Sequence, residues 1–465
     1  MTIENTPKER IEAIIASQKE YFKTGATLPV KFRKEQLRRL QKAIVKYEPK
    51  LADALWTDLH KSHQEAYLTE IGLVKAEIRD HLRHLGRWAR RKRKCSPLTL
   101  FPASSFIVSE PLGQALIVSP WNYPVQLLLN PLVGAISAGC TALLKPSPYV
   151  PNVSAVLEEM IRFTFPEHYI AVVQGNREVN QVLFGSRFDI IFFTGSPALG
   201  RKVMAAAAQN LTPVVLELGG KSPCIIDRTA NLKIAARRVA WGKTLNAGQT
   251  CIAPDYILIH EDVKEAFIKE FAEQVKYLHG TDIKESGHFV RLVTDKAFDR
   301  VESYLKDGDI VYGGRTDREQ RFFEPTLLDN VSPDAPVMTD EIFGPIFPLI
   351  TISPKDGSFK DQVTRFITER EKPLAFYYFG REKDGWDLIH RTSSGGGCIN
   401  DTIMHIANGN IPFGGVGNSG MGHYHGKLSF DAFTHERAIV KAPTFIDLPV
   451  RYMPYKFFAL IKRMM

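Results

Sequence analysis

From Ala115 onward the chain alternates short apolar runs with segments of helical periodicity, and no other feature limits its fold as strongly. Ala115–Val118, Thr141–Lys145, Ile170–Val173, Ile190–Phe193 and Pro213–Leu216 read as strands. Pro124–Ala138, Asn152–Phe163 and Ala198–Ala208 read as helices between them. Strands with no polar face must be covered on both sides, which helices wrapped around a parallel sheet achieve. After Gly219-Gly220, which reads as a hinge, a second series begins: strand Pro223–Ile226, helix Leu232–Leu245, strand Tyr256–His260, helix Val263–Leu278. The chain therefore reads as α/β, with two domains and parallel sheets: 1–218, 219–430, and a closing segment 431–465. Residues 8–94 read as helices, with Leu51, Leu55, Trp56 and Leu59 at helical spacing. Ser105–Glu110, a Pro-Leu-Gly turn and Ala115–Val118 carry a hairpin signal.

The 465 residues suit two or three domains, and a hydrophobic fraction of 44% leaves ample core material. No apolar run reaches the ~18 residues of a membrane span. The polar start, MTIENTPKERIEAI, is not a secretory signal. Five scattered cysteines, with no CxxC pair, read as reduced thiols in a cytoplasmic setting, and no metal site is expected. Much of the net charge of +9 is local, in Arg87, Arg90, Arg91, Lys92, Arg93 and Lys94. This cluster reads as a solvated helix end before Pro97. The remaining charge is too diffuse to suggest a nucleic-acid partner.

Ligands bind parallel sheets at the carboxyl ends of the strands, so the loops there are the first candidates for a site. Asn122, in Ser119-Pro120-Trp121-Asn122-Tyr123-Pro124, is either a helix cap or an amide donor to an oxyanion. Glu217, flanked by leucines before Gly219-Gly220, is either a structural carboxylate or a general base tuned by burial. Gly195 and Ser196 lie where a strand meets a helix, a place that attracts phosphate, although no GxGxxG is present. Cys251, in NAGQTCIAP, is either a small buried hydrophobe or a nucleophile whose thiolate is stabilised by backbone N–H groups. Together these four loops fit acyl chemistry beside a bound dinucleotide.

The same residues carry a resemblance to a known family. SPWNYP at 119–124, LLKPS at 143–147, FFTGSPALG at 192–200, LELGGKSP at 216–223, NAGQTCIAPDY at 246–256, EIFGP at 341–345 and PFGGVGNSGMGHYHG at 412–426 resemble the aldehyde dehydrogenase superfamily, specifically its class 3 or fatty-aldehyde branch. The resemblance implies a Rossmann-like cofactor domain, a catalytic domain and a small oligomerisation extension. It implies that Cys251 attacks the aldehyde, that Asn122 and the Cys251 N–H hold the oxyanion, and that Glu217 activates the hydrolytic water. It assigns Trp121, Lys145, Ser147, Gly195, Ser196, Glu341 and Phe343 to an NAD or NADP site, and Leu73, Trp241 and Phe413 to the aldehyde pocket. An uncharged pocket fits a medium- or long-chain aliphatic or an aromatic aldehyde. Class 3 relatives also imply a homodimer, with residues 97–115 and Ala438–Lys441 crossing to the partner. One departure bears on the cofactor: Pro148 stands where many relatives carry a Glu, which removes an acid that would repel a 2′-phosphate.

Two rival readings are an enzyme that passes the acyl group to coenzyme A and a non-enzymatic binding protein. Glu217 argues against the first, because a thiol acceptor does not need that base. The full set of reactive residues argues against the second. At the end of the chain, Pro443–Pro454 reads as extended. Phe457, Leu460, Ile461 and Met464 then recur on one helical face, with Lys456, Lys462 and Arg463 away from it. Such a tail has three possible destinations: the protein's own surface, the substrate entrance, or an anionic membrane surface touched peripherally.

Overall fold

The computed structural model describes residues 3–447, 449, 452–455 and 457–464. In the first sheet, strands Gly420–Met421, Val214–Leu218, Ile190–Gly195, Gln114–Val118, Thr141–Lys145 and Ile170–Val172 lie side by side in that order. All pairings are parallel except that of Gly420–Met421 with Val214–Leu218. The expected apolar runs thus form this sheet. Every residue of Gln114–Val118 and Thr141–Lys145 is buried, as two-sided helical cover requires. Helix Gln126–Ala138, also buried throughout, lies between those two strands in the chain. It begins two residues later than Pro124. Helix Arg177–Gly185, capped by the Asn176 side chain accepting from Glu178 N, adds to the expected series.

The second sheet runs Asp309–Tyr312, Thr326–Asp329, Ile346–Ile352, Tyr256–His260, Pro223–Ile226, Ala375–Phe379 and Gly396–Ile399. It is parallel apart from Asp309–Tyr312. Its far face is covered by a separate apolar cluster that includes Phe298, Val301, Ile342 and Val363.

The hairpin expectation is corrected. Ser104–Pro111 does not pair with Gln114–Val118. It is the middle of a separate antiparallel sheet, between Lys92–Lys94 and Thr434–Lys441. Burial explains the separation: Ser104–Pro111 is half-buried along its whole length, whereas Gln114–Val118 belongs to the enclosed parallel layer. The basic cluster is corrected in part. The helix ends at Trp88, and Lys92–Lys94 forms an edge strand, with Lys92 Nζ 3.0 Å from Glu436 Oε1.

At the end of the chain, Phe458–Met464 is helical. Lys456 and the side chains of Leu460, Ile461 and Met464 lie outside the described residues. Phe445, Met453, Phe457 and Phe458 are exposed, so these groups are not buried on the chain's own surface.

Candidate active site

Two cavities lie where the sheets meet. The larger, about 890 Å³, opens between the carboxyl end of Ile190–Gly195, the Gly219-Gly220 link and the Asp340–Phe343 segment. Trp121, Asn122, Gly195, Ser196, Glu341 and Phe343, all expected from the sequence, line it. The smaller, about 500 Å³, is mainly apolar and is lined by Leu73, Trp241, Tyr123, Ile252 and Ile403 among others. Cys251 lines neither but is related to both. Its neighbours Thr250 and Ile252 face the smaller cavity, and its thiol is electrostatically coupled to Glu341, in the wall of the larger, and to Glu217.

Lys145 and Ser147 are not brought to the cavity wall. Lys145 ends a buried strand, with Val118 as its neighbour in register, and burial lowers its ammonium to about 8. The Ser147 carbonyl accepts from Ser154 Oγ at 2.8 Å. Phe413, expected in the aldehyde pocket, does not line the smaller cavity either. Its ring is held in a buried aromatic group with His405, Tyr424 and His425, and its backbone bridges Tyr424.

The loop that carries Cys251 is strained at its root. After helix Leu232–Thr244, Asn246 and Ala247 both adopt left-handed backbone, with φ of +52°. Such geometry costs roughly 1–2 kcal/mol per non-glycine residue, so neighbours must hold it. Asn246 Nδ2 donates to the Asn122 carbonyl at 3.1 Å and to the Gln249 carbonyl at 2.9 Å. Gln249, fully buried, returns bonds to the carbonyls of Asn246 and Arg291.

Asn122 is 2% exposed. It does not cap a helix, since the following helix starts at Gln126 with Val125 at the cap position. Its amide donates one N–H to the Gln249 carbonyl at 3.1 Å. An amide has two such hydrogens, so one remains for a ligand.

Glu217 sits in strand Val214–Leu218, opposite Thr194 and Gly420. It is 3% exposed, and neither carboxyl oxygen has a hydrogen-bond partner among the described residues. Burial holds its pKa well above the carboxylate range, so it retains a proton where an ordinary carboxyl would not. Burial also raises the Cys251 thiol, and the carboxylates of Glu341 and Glu217 raise it further. The backbone N–H groups of Cys251 and Ile252 pull the other way without prevailing. Glu341 is raised chiefly by burial and secondly by Asp255, against the Gly220 N–H, Lys221 and Lys243. The resting site thus holds a thiol and raised carboxyls, an arrangement suited to moving protons.

Gly219 supplies clearance. A Cβ there would stand 1.9 Å from Glu341 Oε2, so the carboxyl reaches its position only because the side chain is absent. Phe343, left-handed at φ +48°, meets Trp121 edge to face at 5.3 Å.

Several functional neighbours carried no legible sequence signal. Lys61 and Glu70, both fully buried, form a 2.6 Å ion pair. Lys61 also donates to the Asn122 carbonyl at 3.1 Å, and Glu70 accepts from Val125 N at 2.8 Å. Breaking such a pair typically costs about 3–5 kcal/mol. In sequence they look like any charges on an amphipathic helix. Arg201 reaches the larger cavity and donates to Asn418 Oδ1 at 2.5 Å.

Known proteins resemble this chain along nearly its whole length. The model of the aldehyde dehydrogenase family matches residues 1–439. The 4,4'-diaponeurosporen-aldehyde dehydrogenase of Staphylococcus aureus is 46% identical over 96% of this chain and 97% of its own. The mouse protein named "Aldehyde dehydrogenase, dimeric NADP-preferring" is 40% identical over 92% of this chain and 94% of its own. A solved structure described as the substrate-bound state of Staphylococcus aureus AldH superposes with a TM-score of 0.95. It has 46% identity and covers 97% of this chain and 99% of that one.

Proposed function

Because the chain belongs to the aldehyde dehydrogenase family, whose members oxidise aldehydes, and matches its class 3 relatives along nearly its full length, we propose that it converts a medium- or long-chain aliphatic or an aromatic aldehyde to the carboxylic acid with NAD⁺ or NADP⁺. The carrying observation is that Cys251 adjoins the smaller, apolar cavity through Thr250 and Ile252 and lies within electrostatic reach of Glu341 in the wall of the larger one.

The residues present fit a dinucleotide. The larger cavity lies at strand ends beside the start of helix Pro197–Ala208, and the cradle at Gly219 admits the Glu341 carboxyl without obstruction. Gly195 and Ser196 would meet the pyrophosphate, and Glu341 and Phe343 the nicotinamide end, whereas Lys145 and Ser147, buried off the cavity wall, make no contact in this arrangement. The cofactor, when bound, supplies the hydride acceptor.

The protein's own groups do the rest. The Cys251 sulfur forms a bond to the aldehyde carbon, and its proton passes to a raised carboxyl in its deprotonated form. The second N–H of the Asn122 amide and the Cys251 backbone N–H hold the oxygen that becomes negative. After oxidation the acyl group remains on sulfur as a thioester. Glu217, in its deprotonated form, takes a proton from water as the water oxygen bonds to the thioester carbon; the C–S bond then breaks, the acid leaves, and the Cys251 thiolate is released to be reprotonated.

The apolar wall that includes Leu73 and Trp241 supports an apolar aldehyde, as does the Staphylococcus relative named for 4,4'-diaponeurosporen-aldehyde. A homodimer is supported by the strand Thr434–Lys441 at the edge of its sheet, where the apolar Ile439 and Val440 are exposed, and by the relative named dimeric. No helix among the described residues is long and apolar enough to cross a membrane. The free cysteines, read as reduced thiols, support the proposal of a cytoplasmic enzyme, with at most peripheral membrane contact through its tail.

The deciding experiment follows reduced-cofactor absorbance with a panel of aliphatic aldehydes of increasing length and with benzaldehyde, without coenzyme A. Turnover should occur and should vanish in Cys251→Ala, while cofactor binding, read by protein fluorescence, persists. Turnover that requires coenzyme A, or an active Cys251→Ala, would overturn this reading.

A further inference from the structure

Glu65 is a carboxylic acid in the wall of an otherwise mainly apolar aldehyde pocket. It belongs to the short helix His63–Ala66, in a segment that also carries Lys61 and Glu70, and none of the steps above uses it. Its Oε1 accepts the Asn246 backbone N–H at 2.9 Å. Asn246 is the first of the two left-handed residues at the root of the nucleophile loop, and its side chain ties that loop to the Asn122 carbonyl. The segment therefore grips both halves of the reaction centre: Lys61 and Glu70 hold the Asn122 loop, and Glu65 holds the Cys251 loop.

We propose that Glu65 is a positioning residue for the reaction, fixing the strained Asn246–Ala247 turn so that Cys251 and Asn122 converge on the aldehyde carbon. The proposal rests on the aldehyde-oxidation reading. It adds a pH dependence with a stated origin. Burial raises the Glu65 carboxyl to about 7, against the pull of Lys61 and the Asn246 N–H and with a push from Glu70. The other titratable groups on its surroundings are the Tyr123 hydroxyl, which senses Glu65 and stays protonated, and His279 and His288 in the same cavity wall. An ionised carboxylate accepts the Asn246 N–H more strongly than the neutral acid. Protonation as pH falls through neutrality therefore loosens the turn.

The test compares wild type, Glu65→Leu and Glu65→Gln as full-length proteins. It measures the pre-steady-state burst of reduced cofactor from about pH 6 to about pH 9, with cofactor Kd and thermal midpoint alongside. Glu65→Leu should slow the burst by about 10- to 100-fold, the scale for displaced reacting groups, with cofactor Kd and thermal midpoint little changed. Glu65→Gln keeps an acceptor oxygen and should recover most of the rate, while losing the acid-side fall near neutral pH that wild type shows. A wild-type burst rate in Glu65→Leu, a Glu65→Gln as slow as Glu65→Leu, or superimposable profiles for wild type and Glu65→Gln would each overturn the proposal. A wild type that reduces no cofactor with any aldehyde would overturn the reading beneath it, and the proposal with it.

Discussion

Gly219→Ala adds one methyl group, and the structure specifies what that group meets. The new Cβ would lie 1.9 Å from Glu341 Oε2 and 2.7 Å from its Cδ. A carbon and an oxygen in contact normally stand at about 3.3 Å, so the carboxyl must retreat by about 1.4 Å. Gly219 is not among the left-handed glycines, so alanine introduces no backbone strain and the variant should fold. What is lost is the hold of the Gly220 N–H on the Glu341 carboxyl. A hydrogen bond to an uncharged group contributes about 0.5–1.5 kcal/mol, equivalent to about 2- to 12-fold in whatever Glu341 does. On the proposal that Glu341 holds the nicotinamide end of the cofactor, the loss should appear as a raised cofactor KM and a slower burst of reduced cofactor. Thermal unfolding should change little. The discriminating assay is a double-mutant cycle with Glu341→Ala: if Gly219 acts through Glu341, Gly219→Ala should add almost nothing once Glu341 is gone. Full additivity of the two losses, or a Gly219→Ala enzyme with wild-type kinetics, would refute the clearance argument.

Glu217→Gln should leave a burst of reduced cofactor followed by slow turnover, because thioester hydrolysis loses its base; wild-type steady-state turnover would remove Glu217 from that role. The same variant has a stability signature. A carboxyl held above its usual range opposes folding as pH rises from about 4.5 towards its folded-state value, and Gln does not titrate. The stability of Glu217→Gln relative to wild type should therefore improve from acid to neutral pH, and a flat difference in thermal midpoint would contradict the burial effect. Both NAD⁺ and NADP⁺ should support turnover, and Pro148→Glu should weaken NADP⁺ more than NAD⁺. Absence of NADP⁺-dependent turnover in wild type would void the inference from Pro148. Deleting residues 455–465 should leave the fold intact and change KM for long-chain aldehydes more than for short ones. Equal changes across chain lengths would exclude a role at the substrate entrance.

Most of the expected strands appear within a residue or two, because a continuous apolar run with no polar face has few alternatives to an enclosed parallel sheet. Ser104–Pro111 was less constrained. A half-polar strand followed by a turn fits a hairpin locally, yet its partners, Lys92–Lys94 and Thr434–Lys441, come from before it and from the far end of the chain. Pairing over such a distance leaves no mark in a local window.

The site divides along the same line. Cys251, Asn122 and Glu217 are legible in the sequence only as a set, because they fall together in strand-end and interdomain loops of one α/β unit, and Glu341 is legible only through the family resemblance of EIFGP. Lys61, Glu65 and Glu70 are not legible, since charged residues at helical spacing usually face water; only packing the segment against the Asn122 and Asn246 loops removes that water and makes them anchors. Gly219-Gly220 looked like a hinge, but whether a glycine serves bending or clearance depends on what approaches it, and here that is a carboxyl more than a hundred residues away. Local order follows from neighbouring residues and is written in the chain. The proton affinities of Glu217, Cys251 and Glu65 depend on solvent exclusion and on distant charges, and these exist only once the two sheets have closed on one another.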